Sequence, residues 1–291
     1  MRPRGPTAPS PVPKLAATVI KAVIFDLDGV LYRGDQALPG AIDVVTRLRG
    51  AGKRVLYATN NSTRTRQEYV DRLRRFGLPC EIDDVVTSAW ATARYLVQKG
   101  LRPKDPLVVG MDGFRAELRD AGVLEHEHAV PRPFTRASGA PADMVLVGLH
   151  QAVTYDDLAE AQRALMAGAP FVAANKDVAY PVEGGRLLPG AGAIVSALET
   201  ASGRVAVCVG KPEPFMFQEA LRRAGAAGAE TVVVGDSLQT DVLAAHRVGA
   251  LGVLITTGVT SEAAASLGDG VRADHVVHNL DDLLALPPLE V

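Results

Sequence analysis

The chain alternates short, continuous apolar runs with longer amphipathic stretches. From about Thr18 onward, most of the apolar runs contain Val, Ile and Leu without intervening polar positions. Runs of this kind are typical of parallel strands that are covered on both faces. They predict strands at 22–25, 54–58, 107–110, 144–147, 170–173, 205–209, 231–235 and 251–255. The repeated order of strand and then helix predicts an α/β protein.

Two of the predicted helices begin with a capping signal. Thr65 is followed three residues later by Glu68, and Thr154 is followed three residues later by Asp157. In a capping box, the first side chain accepts from a free backbone N–H of the helix, and the acid returns the contact. We therefore expect helices to begin at these two threonines.

Polar residues that can bind a ligand or take part in catalysis directly follow four of the predicted strands. In open parallel sheets, ligands bind beyond the carboxyl ends of the strands, so these residues are expected to lie together. Taken singly, each has an ordinary alternative as a turn, a helix cap or a surface lysine. The set comprises Asp26 and Asp28, then Thr59, Asn60 and Asn61, then Lys211, and last Asp236 and Asp241.

The first acid pair is electrostatically costly. Two carboxylates about 4 Å apart repel by roughly 4 kcal/mol at an effective dielectric near 20. Asp26 and Asp28 therefore need a cation, a shared proton or a catalytic task, unless they form only an acidic turn.

Composition narrows the class of protein. With 291 residues and 47% hydrophobic residues, the chain can build one large or two medium domains. Its 31 basic and 33 acidic residues give a net charge of -2, which favours neither nucleic-acid nor membrane-surface binding. No apolar run has the length of a membrane span. Two cysteines in unlike contexts suit a reducing cytoplasm, and the proline-rich residues 1–17 are expected to form a disordered leader.

Four stretches, in this order, resemble the motifs of the haloacid dehalogenase (HAD) superfamily of phosphotransferases. They are "FDLDGV", "YATNNS", "GKPEP" and "VVGDSLQTD". About 150 residues separate Thr59 from Lys211, several times the length of one βαβ unit, so a second α/β domain is inserted there. This placement looks like the subfamily of NagD-type and p-nitrophenylphosphatase-like proteins, phosphoglycolate phosphatase and pyridoxal phosphate phosphatase. The expected fold is a Rossmann-like parallel-sheet core, 18–86 and 205–291, with an α/β cap at 87–204.

The resemblance implies a role for each acid. Asp26 would be the nucleophile and a ligand of Mg²⁺, and Asp28 would be the general acid and base. Asp28 would also bind the metal through its backbone carbonyl, and Asp236 would bind it through its side chain. Asp241 would orient the site without binding the metal. Thr59, Asn60, Asn61 and Lys211 would hold the phosphate oxygens.

The cap contains the departures from the subfamily. His150 stands where an aspartate is usual, and Lys176 stands within Asn175-Lys176-Asp177, where the subfamily often has Asn-Pro-Asp. By resemblance the loop with Asn175, Lys176, Asp177 and Tyr180 lies above the site. We expect it to contact the leaving group, although a solvated cap loop is an alternative.

The predicted function is Mg²⁺-dependent hydrolysis of a small phosphorylated metabolite. Phosphoglycolate, glycerol phosphate, a nucleoside monophosphate and pyridoxal phosphate all remain open as substrates. A phosphomutase is an alternative, but mutases of this superfamily tend to carry the cap after the first motif. A receiver domain is about half this length, and a catalytically silent binding protein would not need every motif residue intact. Related enzymes often pair through their caps, which makes a homodimer an expectation by analogy.

Overall fold

The strands and helices of the protein follow the predicted α/β order. The computed structural model describes residues 19–124, 140–181, 186–258, 270–287 and 289, so the predicted leader at 1–17 lies outside the described residues. The strands are β1 (Ala22–Phe25), β2 (Tyr32–Arg33), β3 (Gln36–Ala37), β4 (Arg54–Thr59), β5 (Val85–Thr87), β6 (Leu107–Val109), β7 (Val145–Val147), β8 (Phe171–Ala173), β9 (Ala179–Pro181), β10 (Leu187–Pro189), β11 (Val207–Cys208), β12 (Thr231–Gly235), β13 (Leu251–Ile255) and β14 (His275–Val277). The helices are α1 (Ala41–Gly50), α2 (Arg66–Arg75), α3 (Ser88–Gln98), α4 (Asp112–Asp120), α5 (Tyr155–Met166), α6 (Ala191–Ser202), α7 (Phe215–Ala224), α8 (Leu243–Arg247) and α9 (Leu280–Leu284).

The larger sheet has six parallel strands in the order β14-β13-β12-β1-β4-β5. Strand β1 lies between β12 and β4, with Phe25 opposite both Val234 and Tyr57. The carboxyl ends of these three strands therefore meet at one edge. This arrangement confirms the predicted fold class and brings three of the four polar motifs to neighbouring positions.

The two faces of this sheet are covered by different layers. Val23 and Phe25 pack in one cluster with residues of α1, α2 and α9, whereas Ile24 packs in a second cluster with residues of α3, α7 and α8. Alternate side chains of a strand point to opposite faces, so an unbroken apolar strand is what a sheet covered on both sides requires.

The smaller sheet has four parallel strands in the order β11-β8-β7-β6. Its outer face packs against α5 and α6 through a cluster that includes Val145, Ala161 and Val195. Its other face supplies Leu146 and Val172 to the cluster that contains Ile24 and α3. The two sheets therefore share apolar contacts.

One predicted strand joins a different sheet from the one expected. The run 205–209 is expected in the core, but only Val207–Cys208 is extended, and it pairs with β8 at the edge of the smaller sheet. Helix α3, which follows the boundary predicted at 87, packs with Ile24 and Leu56 of the larger sheet. The division into core and cap stays a prediction, and its two boundaries do not coincide with the two sheets.

Several short elements have no counterpart among the predicted strands. They are β5, β14 and the antiparallel hairpins β2–β3 and β9–β10, each with strands of only two or three residues. Both predicted capping boxes are present, at Thr65 with Glu68 and at Thr154 with Asp157. Across the described ranges, no helix is long and apolar enough to cross a bilayer.

Candidate active site

Three aspartates converge where β1 and β12 end. Asp26 directly follows β1 and donates its backbone N–H to the Val234 carbonyl, and Asp236 directly follows β12. Asp241 lies in the single helical turn that precedes α8. Asp26, Asp236 and Asp241 each offer a carboxylate oxygen, and these oxygens lie within 4.8 Å of one another.

Lys211 bridges two of these carboxylates. Its Nζ lies 2.6 Å from Asp26 Oδ1 and 2.6 Å from Asp241 Oδ1, and its side chain is 3% exposed. Burial opposes the charge on Lys211, but the two carboxylates outweigh that effect and hold its pKa above the usual value. The site therefore contains a buried ammonium that is paired with two carboxylates.

One ammonium does not neutralise three carboxylates. Burial raises the pKa of Asp26 well above its usual value; Lys211 opposes that shift, whereas Asp241 and Asp236 add to it. With all three carboxylates ionised, the negative charge of this buried cluster exceeds the positive charge of Lys211 by two. A divalent cation matches that charge, and carboxylate oxygens are the ligands that Mg²⁺ prefers. The donor set of this site therefore fits Mg²⁺.

Two glycines allow the backbone to approach Asp236 closely. A Cβ atom at Gly258 would lie 1.8 Å from Asp236 Oδ2, and a Cβ atom at Gly29 would lie 2.5 Å from the same oxygen. Gly29 also has φ +83, a conformation that L side chains rarely adopt. The carboxylate of Asp236 is therefore enclosed by backbone that no larger residue could form.

Asp28 lies two residues beyond Asp26, on a tight turn that returns to β2. The Tyr32 hydroxyl donates to Asp28 Oδ2 over 3.2 Å. Burial raises the pKa of the Asp28 carboxyl, and Arg72 offsets part of that rise. The direction of this shift favours the protonated form, which is the form that a general acid needs.

Asn60 connects three loops with its side chain and carbonyl. Its Nδ2 donates to Asp177 Oδ1 over 2.8 Å and to the Lys211 carbonyl over 2.9 Å, and its Oδ1 accepts from the Lys211 N–H over 2.8 Å. Its backbone carbonyl accepts from Asn175 Nδ2 over 2.7 Å. An amide NH₂ has two protons, and both are used here, so phosphate contact by this side chain would cost one of these bonds.

The neighbouring polar residues make local contacts. The Thr59 hydroxyl accepts from the Asn61 N–H over 3.1 Å, and Asn61 Oδ1 accepts from the Thr63 N–H and hydroxyl. Thr59 is the buried last residue of β4, next to β1. These bonds fix the turn that leaves β4 at the same edge as Asp26.

The four predicted specificity residues separate into two pairs. Asn175 and Asp177 contact Asn60, as described above. The other pair is held elsewhere: Lys176 Nζ contacts Glu199 Oε1 of α6 over 2.7 Å, and the Tyr180 hydroxyl accepts from Gln151 over 2.7 Å. His150, the other departure from the subfamily, accepts the Ala152 N–H at Nδ1 in a local turn.

Comparisons with known proteins identify the family to which the chain belongs. The sequence pattern described as haloacid dehalogenase-like hydrolase matches residues 23–124, and a HAD-hydrolase-like pattern matches residues 208–283. The glycerol-3-phosphate phosphatase of Gallus gallus is 38% identical over 93% of this chain and 92% of its own. The chain belongs to the haloacid dehalogenase-like hydrolases.

Further relatives define the branch of the family. Chronophin of Mus musculus is 38% identical over 91% of this chain and 92% of its own. The p-nitrophenyl phosphatase of Archaeoglobus fulgidus has a TM-score of 0.82 at 33% identity, over 92% of this chain and all of that one. A glycerol phosphate phosphatase of Mycobacterium tuberculosis, solved with magnesium, has a TM-score of 0.78 at 36% identity, over 92% and 77% of the two chains. The protein is a phosphoric monoester hydrolase of the NagD-like, p-nitrophenylphosphatase-like branch.

Two features of the site escaped the sequence analysis. The motifs assign no role to Tyr32, although its spacing of four residues from Asp28 is a signal for a contact within one turn. Gly258 follows a predicted strand, and nothing in its sequence context marks it as a neighbour of Asp236.

Proposed function

We propose that the protein hydrolyses a small phosphomonoester with the help of Mg²⁺, through an aspartyl-phosphate formed on Asp26. The observation that supports this most directly is the cluster of Asp26, Asp236 and Asp241 around the buried ammonium of Lys211. Its surplus of negative charge has no structural benefit by itself. It suits a site that binds a cation and carries a carboxylate nucleophile.

The residues that would hold Mg²⁺ are Asp26 and Asp236 through their carboxylates and Asp28 through its backbone carbonyl. When bound, the ion would offset the negative charges of the nucleophile and the phosphate, which otherwise repel each other. Asp241 would hold Lys211 in place from the other side.

The reaction would proceed in two steps. In the first, a carboxylate oxygen of Asp26 forms a bond to phosphorus while the bond from phosphorus to the leaving oxygen breaks, and Asp28 gives that oxygen a proton. In the second, Asp28 takes a proton from water, the water oxygen bonds to phosphorus, and the bond to Asp26 breaks. The products are an alcohol and inorganic phosphate, and Asp26 and Asp28 return to their first state.

The other residues at the strand ends would position the phosphoryl group. Lys211 offsets charge on Asp26 and on the transferring oxygens, and Thr59 and the backbone after β4 face the same edge. Phosphoryl transfer depends mainly on such positioning and electrostatic stabilisation. The side chain of Asn60 would act indirectly, by holding the backbone of Lys211.

The substrate would be a small phosphorylated metabolite. Relatives are named for glycerol phosphate and p-nitrophenyl phosphate, and one is named as a 5'-nucleotidase. Asn175 and Asp177 connect the cap loop to Asn60, so this loop is suitably placed to select the leaving group. Lys176 and Tyr180 remain candidates further along the loop, and unchanged relative activities after their replacement would exclude them.

Release of phosphate from a panel of small esters, with Mg²⁺ and with EDTA, tests this proposal. We expect Mg²⁺-dependent turnover that is lost in Asp26→Asn and kept in Asp43→Asn, a matched change on the exposed first turn of α1. Turnover by Asp26→Asn that equals the turnover of the wild-type protein would exclude Asp26 as the nucleophile. Tight Mg²⁺ binding without phosphate release from any ester would instead favour a binding protein, and transfer to a second sugar hydroxyl would favour a mutase.

A further inference from the structure

The turn after β1 brings Tyr32 back onto Asp28. The Leu27 carbonyl accepts from the N–H groups of Val30, Leu31 and Tyr32, and the Gly29 N–H donates to the Tyr32 carbonyl over 2.9 Å. A β-bridge joins Asp28 to Tyr32. This compact turn puts the phenol on the same side as the carboxyl of Asp28, with the hydroxyl 3.2 Å from Oδ2.

The hydroxyl of Tyr32 is buried and directed at a carboxylate. The residue is 1% exposed, and a phenol keeps its proton at neutral pH. Within the described residues, Asp28 Oδ2 accepts from this hydroxyl, and Asp28 Oδ1 is the carboxyl oxygen that Tyr32 does not bind. Oδ1 is therefore the oxygen left to carry a proton to and from a reacting group.

The ring of Tyr32 contacts the side chains of Arg72 and Phe76, which also contact each other. The guanidinium of Arg72 lies 4.7 Å from the ring centre, and the ring of Phe76 lies at a centroid distance of 5.3 Å. Arg72 also donates to the Gly34 carbonyl and pairs with Asp35, both in the β2–β3 hairpin. Helix α2 and the hairpin thus fix the ring, and the ring fixes where the hydroxyl points.

We infer that Tyr32 is a positioning residue for proton transfer by Asp28, fixing Oδ2 so that Oδ1 exchanges the proton with the leaving oxygen. This inference rests on the proposed function and deepens it. As the bond from phosphorus to the leaving oxygen breaks, the proton moves from Oδ1 to that oxygen. Asp28 becomes a carboxylate, and the bond from Tyr32 strengthens because its acceptor is now charged.

The choice of leaving group separates this role from a purely structural one. Phenyl phosphate and p-nitrophenyl phosphate have nearly the same shape, but the nitrophenolate ion departs without needing a proton. For Tyr32→Phe we expect kcat/KM for phenyl phosphate to fall by about tenfold or more, in line with the loss of a hydrogen bond to a charged group. For p-nitrophenyl phosphate the fall should be less than about threefold, since little of that barrier depends on proton transfer. The ratio of the two values, measured on one sample, does not depend on how much of the variant is folded.

Tyr57→Phe is the matched control. Tyr57 is equally buried in the same apolar cluster, and its hydroxyl donates to the Pro79 carbonyl over 2.7 Å, away from Asp28. It should leave the ratio at the wild-type value. In an Asp28→Asn background, adding Tyr32→Phe should not change the ratio further.

The outcomes are distinguishable. An equal loss on both esters in Tyr32→Phe, or no loss on either, would overturn the positioning role while leaving the proposed hydrolysis intact. Failure of the wild-type protein to release phosphate from either ester with Mg²⁺ would overturn the hydrolysis and, with it, the role of Tyr32.

Discussion

Replacing Lys211 with Met removes the ammonium that bridges Asp26 and Asp241. Methionine keeps most of the length of the side chain and its apolar stem, so the change is mainly electrostatic. Both contacts are 2.6 Å, and the site is buried. Two carboxylates that remain within 4.8 Å repel by at least about 3 kcal/mol at an effective dielectric of 20. Breaking a buried ion pair by removing one partner typically costs about 3–5 kcal/mol. We therefore expect Lys211→Met to lower the free energy of unfolding by about 3–5 kcal/mol in metal-free buffer.

Urea unfolding followed by circular dichroism, with EDTA and with Mg²⁺, measures this effect. Mg²⁺ should recover part of the loss, because a cation at the same carboxylates replaces the missing charge. Turnover should stay at least about 100-fold below wild type, since the ammonium also stabilises charge in the transition state.

Lys21→Met is the control for the loss of an ion pair as such. Lys21 also has a carboxylate partner at 2.6 Å, Glu230, but its side chain is 58% exposed, and such pairs contribute at most about 1 kcal/mol. If Lys211→Met were no more destabilising than Lys21→Met, the expected loss of stability from uncovering charged, buried carboxylates would be wrong. If Mg²⁺ stabilised Lys211→Met no more than Lys21→Met, the cation would not replace the missing charge of Lys211.

Two further changes test the surroundings of the site. Gly258→Ala should displace the Asp236 carboxylate, because the new Cβ would lie 1.8 Å from Asp236 Oδ2. We expect the affinity for Mg²⁺, measured by calorimetric titration, to fall at least about tenfold. Gly50→Ala is the control and should leave the affinity unchanged, because a Cβ at Gly50 meets open space. Burial raises the pKa of Glu117, so the folded protein binds a proton there more tightly than the unfolded chain does. The contribution of Glu117 to stability therefore falls as the pH rises from the ordinary pKa of a carboxyl group through the raised pKa. Unfolding free energies from pH 4.5 to 7 should therefore decrease more steeply for wild type than for Glu117→Gln, which keeps an oxygen for the Arg66 N–H but cannot titrate; parallel curves would contradict this reasoning.

Much of the site was predictable because parallel strands deliver their ends to a common edge. Asp26, Thr59 and Asp236 follow or end adjacent strands of one sheet, and their relative placement follows from that topology alone. Lys211 does contact Asp26 and Asp241, as its position after a predicted strand suggests, but that strand is not part of the larger sheet. The run before it belongs to the smaller sheet, and a short Val-rich run gives no signal of which sheet it will join.

Partnerships across long stretches of chain were not predictable from local pattern. The sequence could not indicate that Asn60 would use its side chain on Lys211 and Asp177, or that Lys176 would pair with Glu199. These contacts depend on side-chain directions that only the packed structure determines. Local spacing did predict the capping boxes correctly, because their partners lie three residues apart.

The place where β11 leaves the smaller sheet has a mechanical consequence. The N–H groups of Val209 and Gly210 still donate to the Ala173 and Ala174 carbonyls, in continuation of β8, whereas the very next residue, Lys211, is bound by Asn60 beyond β4. The chain thus passes from one sheet to the other across a single peptide bond. A shift in the register of β11 against β8 would therefore displace the Lys211 ammonium from Asp26 and Asp241, so strand pairing at the edge of the smaller sheet sets the position of a charge at the edge of the larger one.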